Sequence, residues 1–363
     1  MKNIFVSTLI LLCLCLQACT VAKMARLPER SASNEPDYYE VKVVYGTDRK
    51  PTGLTSFSKW YGPARNYTGT PLQFGTVTVS IPKKHETGEI EKPDFWNIYG
   101  RQNPSKYIVL TGLDTIKAMA MTNLREMVRR SPDEDAFIFV HGYNNTFEDA
   151  ARRTAQLAFD IGFRGCPAMF SWPSNGNPRQ YVSDGENSEW AVPHLRNFIL
   201  KVIAESKPRK LHVIAHSMGN KIFLDVLRSL QNDHPEVQFN QIILAAPDVD
   251  VAIFKDQIAP NITSMAQRIT LYCSSNDRAL LMARKIRSGY VRVGETPDPV
   301  YDGIETVDAT SITNRLFNLN HSYINQSSPI IKDVFLLFKS NTPPENRNLV
   351  SMQASSGRYW VFK

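Results

Sequence analysis

The sequence predicts an α/β fold in which a mainly parallel sheet is covered by helices on both faces, with an elaborated N-terminal strand region. Two observations predict it. Apolar runs of strand length recur at Ala136 to Val140, Leu211 to Ala215 and Ile242 to Ala246, almost without polar interruption, as strands buried on both faces require. Amphipathic segments stand between these runs, and alternation of strand with helix is the order from which a parallel sheet is wound. At 363 residues the chain is long enough to bury a large core as one domain.

The elements follow in order. Val41, Val43 and Tyr45 alternate with polar neighbours, and Phe74 to Ile81 does the same, so both read as strands near a sheet edge. Pro51 to Pro71 and 82 to 105 read as loop, and Lys106 to Leu110 as a further strand. Ile116 to Arg130 has helical spacing, and Ser131-Pro132-Asp133 stops it. After the strand at Ala136 come His141-Gly142-Tyr143-Asn144, a helix from Phe147 to Phe159, and a short strand from Pro167 to Trp172. A helix from Glu189 to Ala204 precedes the strand at Leu211, and Lys221 to Leu230 follows it as a helix. Ile242 to Ala246, Ile269 to Cys273 and Ile304 to Val307 complete the strands, with Ile330 to Phe338 as a terminal helix.

The ends of the chain read differently from its body. Met1-Lys2-Asn3, an uncharged stretch from Ile4 to Leu16 and a small residue at Ala18 have the layout of a signal peptide over residues 1–18. That stretch is shorter than the roughly 20 apolar residues a transmembrane helix needs. Leu16-Gln17-Ala18-Cys19 resembles a bacterial lipobox, which makes Cys19 a lipidation site and residues 19–38, polar and proline-bearing, a lipidated tether. Acyl chains contribute roughly 0.8 kcal/mol per buried CH₂, enough in combination to hold a protein at a membrane. Thr20, in place of an acidic residue after the cysteine, points by resemblance to an outer membrane facing the periplasm. The expected division is then a folded domain over 39–345, with 346–363 as a C-terminal extension packed on it.

Composition excludes more than it assigns. The formal charge is +7, yet Lys and Arg are dispersed, with no arginine-rich run or aromatic-basic interleaving, which argues against nucleic acid as a partner. Cys166 and Cys273 are the cysteines left in the domain, and each adjoins a different strand, so buried free thiols are expected. No Cys or His cluster has the spacing of a zinc site, and no metal is expected.

The chemistry begins at Ala215-His216-Ser217-Met218-Gly219. A serine between small residues, at a sharp turn from strand into helix, is the pattern that lifts a hydroxyl into a cleft. Ala215 stands where glycine is usual. A serine hydroxyl needs a base, and the base needs an orienting acid. Downstream of Ser217 there are two histidines. His234 falls at the far end of the helix behind the turn, whereas His321 follows the Ile304 strand in a loop, where a base is required, and is preferred. Asp277 follows the Ile269 strand and can hold an imidazole in the right tautomer; Asp248 and Asp250, one strand earlier, are its competitors. A developing oxyanion needs two donors, for which the Met218 amide and the Tyr143 amide after His141-Gly142 are the candidates. His216, adjacent to the serine, points away from it and reads as a packing residue. Asp184, Glu186 and Glu189 stand where they could border the pocket.

His141-Gly142-Tyr143-Asn144-Asn145, Phe170-Ser171-Trp172-Pro173, the Ser217 pentapeptide with Asn220, Ala245-Ala246-Pro247-Asp248-Val249-Asp250 and Ser275-Asn276-Asp277-Arg278-Ala279 together resemble a bacterial family of uncharacterised α/β-hydrolase-like proteins over roughly Tyr39 to Phe338. The resemblance implies the α/β-hydrolase fold, with Ser217, Asp277 and His321 as a catalytic triad. It implies hydrolysis without naming a substrate. The expectation is an exported esterase acting on a small-molecule ester with no cofactor; the alternative is a non-catalytic envelope lipoprotein that binds or scaffolds on the same fold. Asp248 to Gln267 is short and Arg284 to Asp302 polar, so no exposed apolar lid is expected, and a short-chain ester is favoured.

Overall fold

Eleven strands form one sheet in the computed structural model, which describes residues 36–92, 103–312 and 327–363. In chain order they are β1 (Tyr38–Thr47), β4 (Gln73–Pro82), β5 (Leu110–Asp114), β6 (Asp135–Val140), β7 (Cys166–Ser171), β8 (Lys210–His216), β9 (Phe239–Ala245), β10 (Ala266–Cys273), β11 (Glu305–Asp308), β12 (Leu349–Ala354) and β13 (Gly357–Phe362). The intervening β2 (Arg49–Pro51) and β3 (Tyr61–Arg65) pair separately with each other. Across the large sheet the order is β12-β13-β11-β10-β9-β8-β6-β7-β1-β4-β5. From β1 to β13 all neighbours are parallel, and antiparallel strands occur only at the two edges.

Why these runs are continuous apolar stretches is evident from where alternate residues go. Ile138 and Val140 of β6, Val213 and Ala215 of β8, and Ile242 and Leu244 of β9 pack on one face. There they meet Leu124 of α1 (Lys117–Arg130), Phe198 of α3 (Tyr181–Ser206) and Leu227 of α4 (Gly219–Asp233). Phe137 and Phe139, Ile214, and Ile243 take the opposite face against Leu157 of α2 (Phe147–Asp160) and Leu337 of α6 (Ser328–Ser340). A period of two thus divides each strand between two cores, so most positions of both sets are apolar. A further helix, α5 (Arg278–Ile286), follows β10.

The structure departs from the sequence expectations at four places. Pro51 to Pro71 is not all loop: Tyr61–Arg65 forms β3 and pairs with β2, with the Tyr61 ring packed on Tyr45 and Phe147. Regular pairing of the fifth strand begins at Leu110 rather than Lys106, because the Ser80 hydroxyl inserts beside it: Ser80 Oγ accepts from Val109 N at 3.1 Å, and a register shift follows between Thr78 and Val79. α3 begins at Tyr181, one buried carboxylate and one glycine earlier than its apolar spacing shows, and continues through Pro193. An internal proline costs about 3 kcal/mol; burial of Leu195, Phe198, Ile199 and Val202 offsets it at roughly 1.5–3 kcal/mol per side chain. Finally, β11 is not the last strand. β13 adds beside it in parallel, Val307 opposite Trp360, and β12 closes that edge as a hairpin. Cys166 and Cys273 are buried free thiols, as expected.

The path of the chain through the sheet creates one switch point. From β6 the chain leaves to one side to make β7, then returns to place β8 on the other side of β6 and continues outward through β9 and β10. The carboxyl ends of β6 and β8 therefore flank the point where the strand order reverses, which is where open α/β sheets form their ligand crevice.

Candidate active site

Ser217 sits in the turn from β8 into α4 with φ of 52°. A non-glycine residue in this left-handed region costs on the order of 1–3 kcal/mol and persists only where its surroundings hold it. Here they do. The Ser217 N–H donates to Ala245 O at 2.9 Å, and its carbonyl accepts from Asn220 N at 3.0 Å, Asn220 Nδ2 at 3.1 Å and Asp248 N at 3.3 Å. Asn220 is fully buried and also donates to Ala245 O, so one amide side chain clips the turn to β9. Gly219 is required by close approach: a Cβ there would lie 2.5 Å from His141 O and 2.6 Å from Val140 O. Ala215 is tolerated because it is still within β8, paired with Val140 and Leu244, and its methyl belongs to the core.

The loop after β6 lies against this turn. A Cβ on Gly142 would stand 2.7 Å from Ser217 Cβ and 3.0 Å from His216 Nδ1. The Gly142 carbonyl is bound from behind by His141 Nδ1 at 2.8 Å and Asn145 Nδ2 at 3.3 Å. Across the planar trans peptide, the Tyr143 N–H must then point the opposite way. Among the described residues, neither the Tyr143 N–H nor the Met218 N–H has an acceptor, and the Ser217 hydroxyl has no hydrogen-bond partner.

Behind the loop is a polar clamp that sequence reasoning missed. Burial, reinforced by the nearby Arg49 guanidinium, pulls His141 down to about 3, so its ring is neutral. The ring stacks on Trp172 with centroids 5.1 Å apart, and Trp172 Nε1 donates to His141 O at 2.8 Å. With Nδ1 donating to Gly142, Nε2 is the acceptor and faces the Ser171 hydroxyl at 3.4 Å. Arg49, 1 % exposed, donates to Ser171 Oγ at 2.9 Å, to Asn145 O at 2.7 Å and to Ser174 O at 2.9 Å. Asp184, proposed from sequence as a pocket border, is instead fully buried. It accepts from Ser174 Oγ at 2.6 Å, Asn175 N at 2.9 Å and Asn175 Nδ2 at 2.7 Å. Arg49 carries no local signal in the sequence, since Asn145, Ser171 and Ser174, which it joins here, come from segments far along the chain.

The candidate acids separate by their partners. Asp277 is fully buried at the N-terminus of α5, where Oδ1 accepts from Ala279 N at 3.0 Å and Leu280 N at 3.1 Å. It follows β10, two strands from β8, a separation of about 10 Å that one imidazole can bridge. Asp248 is committed elsewhere: Oδ1 accepts from Arg292 Nε at 2.9 Å and Oδ2 from the Tyr181 hydroxyl at 2.7 Å. Asp250 caps the helical turn after it through Ala252 N and Ile253 N. His234 ends α4, a helix about 20 Å long, and pairs with Glu236. His321 and Cys19 lie outside the described residues.

Two clefts open beside the turn. The larger, 530 Å³, runs from Asp248 along α4 to Arg228 and is walled by Leu224, Val249, Ala252 and Ile258. The smaller, 240 Å³, lies between Tyr181, Glu186 and Ile286, and both are lined by Lys221 and Arg287. Glu189 pairs with Lys221 at 2.7 Å across their mouth. Helix α5 shows Leu281, Met282 and Ile286 to solvent, beside and within the polar stretch on which the expectation of no apolar lid rested. The stretch from Arg284 to Asp302, polar as a whole, holds Ile286, and Leu281 and Met282 precede it on the same helix.

Comparison with known proteins gives the family. The model of the family described as "Alpha/beta hydrolase of unknown function (DUF900)" matches residues 116–338. An uncharacterized protein of Nostoc sp., alr1448, is 40 % identical over 63 residues, which is 17 % of this chain and 16 % of that protein. Among solved structures, a Lactobacillus plantarum protein provisionally described as a cell surface hydrolase is 11 % identical with a TM-score of 0.38, covering 59 % of this chain and 95 % of that one. A lipase-esterase related protein of Clostridium acetobutylicum is 13 % identical with a TM-score of 0.32, covering 58 % and 95 %. Thermogutta terrifontis esterase 2 is 14 % identical with a TM-score of 0.29, covering 58 % and 85 %. Scores this low carry no weight for the activity. The family match spans every element from α1 to α6, including both strands that flank the switch point. This chain belongs to the α/β-hydrolase family of unknown function.

Proposed function

We propose that this protein is a serine hydrolase that cleaves a carboxylic ester through an acyl-enzyme. The observation that carries this reading is the close approach of Gly142 to Ser217 at the switch point, with two amide N–H groups beside the serine that have no acceptor among the described residues. In the proposed reaction, Ser217 Oγ attacks the ester carbonyl, and His321 takes its proton and returns it to the leaving alcohol. Asp277 orients the imidazole. The Met218 and Tyr143 amides hold the oxyanion, and loss of one such donor typically costs about 10²- to 10³-fold in rate. Water then attacks the acyl-serine by the same proton path in reverse, releasing the acid and restoring Ser217.

The test is peptide mapping after exposure to a serine-reactive fluorophosphonate. An adduct on Ser217 that disappears in His321→Ala is expected, because the hydroxyl is a poor nucleophile without its base. An unlabelled Ser217, under conditions that label a control hydrolase, would overturn the reading and favour a binding lipoprotein.

Export and anchoring are proposed with it: residues 1–18 direct secretion, and acylated Cys19 tethers the domain to the cell envelope. Metabolic fatty-acid labelling is expected in the wild type and absent in Cys19→Ala. Label retained in that variant would refute the anchor.

A further inference from the structure

We infer that the rim of the two clefts docks on an anionic lipid bilayer, so that the ester is an amphiphile drawn from the membrane surface. The substrate half of this inference rests on the hydrolase reading above; the docking half does not.

Helix α5 and the residues after it carry the argument. From Arg278 to Arg292 the chain has five cations and no carboxylate. Leu280 and Ala283 face the core, yet Leu281, Met282 and Ile286 on the outer side are 37 %, 52 % and 50 % exposed, and Tyr290 beyond the helix is 65 % exposed. A surface helix of a soluble domain normally turns polar residues outward. An outward apolar face flanked by Lys and Arg is instead the pattern of a helix lying in a membrane interface.

The same surface continues around the cleft mouths. Ile253, 46 % exposed, and Tyr290 line the larger cleft; Val182, 70 % exposed, and Ile286 line the smaller. Exposed apolar side chains thus stand at both openings, among charged ones. The larger opening leads inward to Asp248, whose N–H binds the Ser217 carbonyl. Its apolar walls suit an acyl chain.

Charge selects the occupant. The carboxylates at the mouths are already matched: Asp248 and Asp250 by Arg292, Asp225 by Arg228 and Glu189 by Lys221. Arg284 is taken by Glu295. Among the described residues Arg278 and Lys285 have no carboxylate partner, Arg287 donates to the Tyr181 hydroxyl and lies in the field of Asp248 and Glu189, and only Glu186 of the cleft lining is without a cation. An apolar face with unmatched cations complements a surface of lipid tails under anionic headgroups. α5 also begins at Asp277, so the docking face and the proposed triad acid share one helix.

Vesicle flotation tests this with the full chain carrying Cys19→Ala, which removes the proposed acyl anchor; residues 1–35 are otherwise common to every variant, so differences between variants report the rim. Binding to phosphatidylglycerol vesicles is expected to exceed binding to phosphatidylcholine vesicles and to weaken with salt. Met282→Glu and Lys285→Glu, exposed positions outside both cleft linings, are each expected to lower binding by about fivefold or more while leaving the thermal melt unchanged. Hydrolysis of a diacyl ester in the vesicles is expected to fall in parallel, with turnover of a soluble short-chain ester within about twofold of the parent. Variants that bind as the parent does, or a parent indifferent to headgroup charge, would overturn the proposal. Retention on poly-glutamate beads without vesicle binding would also overturn it, in favour of an acidic protein partner. Rim-dependent vesicle binding with no turnover of either ester would leave the docking face standing and sink the hydrolase reading instead.

Discussion

Ser217→Ala is expected to lower ester turnover by on the order of 10⁴- to 10⁶-fold, to the residual rate that binding and oxyanion donors supply alone. The fold should hardly register the change. The four hydrogen bonds that fix residue 217 all use its backbone N–H and carbonyl, and alanine keeps both. Its φ of 52° strains alanine about as much as serine. The thermal melt should therefore stay within a few degrees of the wild type while turnover and fluorophosphonate labelling disappear. Equal turnover in the two proteins would place the chemistry at another residue.

The two aspartates should fail in different ways. Asp277→Asn removes a negative charge but keeps a side chain that caps a helix as well as aspartate does, so Ala279 N and Leu280 N retain their acceptor. Turnover is expected to drop about 10⁴-fold with α5 intact, because an amide holds the imidazole in the wrong tautomer. Asp248→Asn leaves Arg292, 5 % exposed, without its 2.9 Å carboxylate partner. Breaking one side of a buried pair costs about 3–5 kcal/mol, so this variant should melt well below the wild type while its folded fraction still turns over ester. Assays run below both melting temperatures separate the two effects. A larger rate loss in Asp248→Asn than in Asp277→Asn would move the acid one strand earlier.

These expectations mix what was legible in the chain with what was not. Ser217, Gly219 and Gly142 are legible because close backbone approach admits only small residues, and that restriction is local. The buried strands are legible because both of their faces must be apolar. By contrast, the start of α3 is hidden: Asp184 and Gly185 look like loop residues until Ser174 and Asn175 supply the hydrogen bonds that let a carboxylate be buried. The hairpin of β12 and β13 is hidden for a related reason, since its outward residues are exposed and its pairing with β11 spans about fifty residues of chain.

The class of fold, the order of strands and helices around the switch point, and the serine turn with its glycine neighbours are written in the chain, because each depends on periodicity or on sterics within a few residues. Packing across the fold is what joins Arg49, Ser171 and His141 behind the Gly142 carbonyl, binds Asp248 to Arg292 and Tyr181, and turns apolar side chains of α5 outward around the cleft. Those depend on which groups meet across long stretches of chain, and whether a polar group finds a partner or an apolar one finds cover is settled where segments distant in sequence pack together.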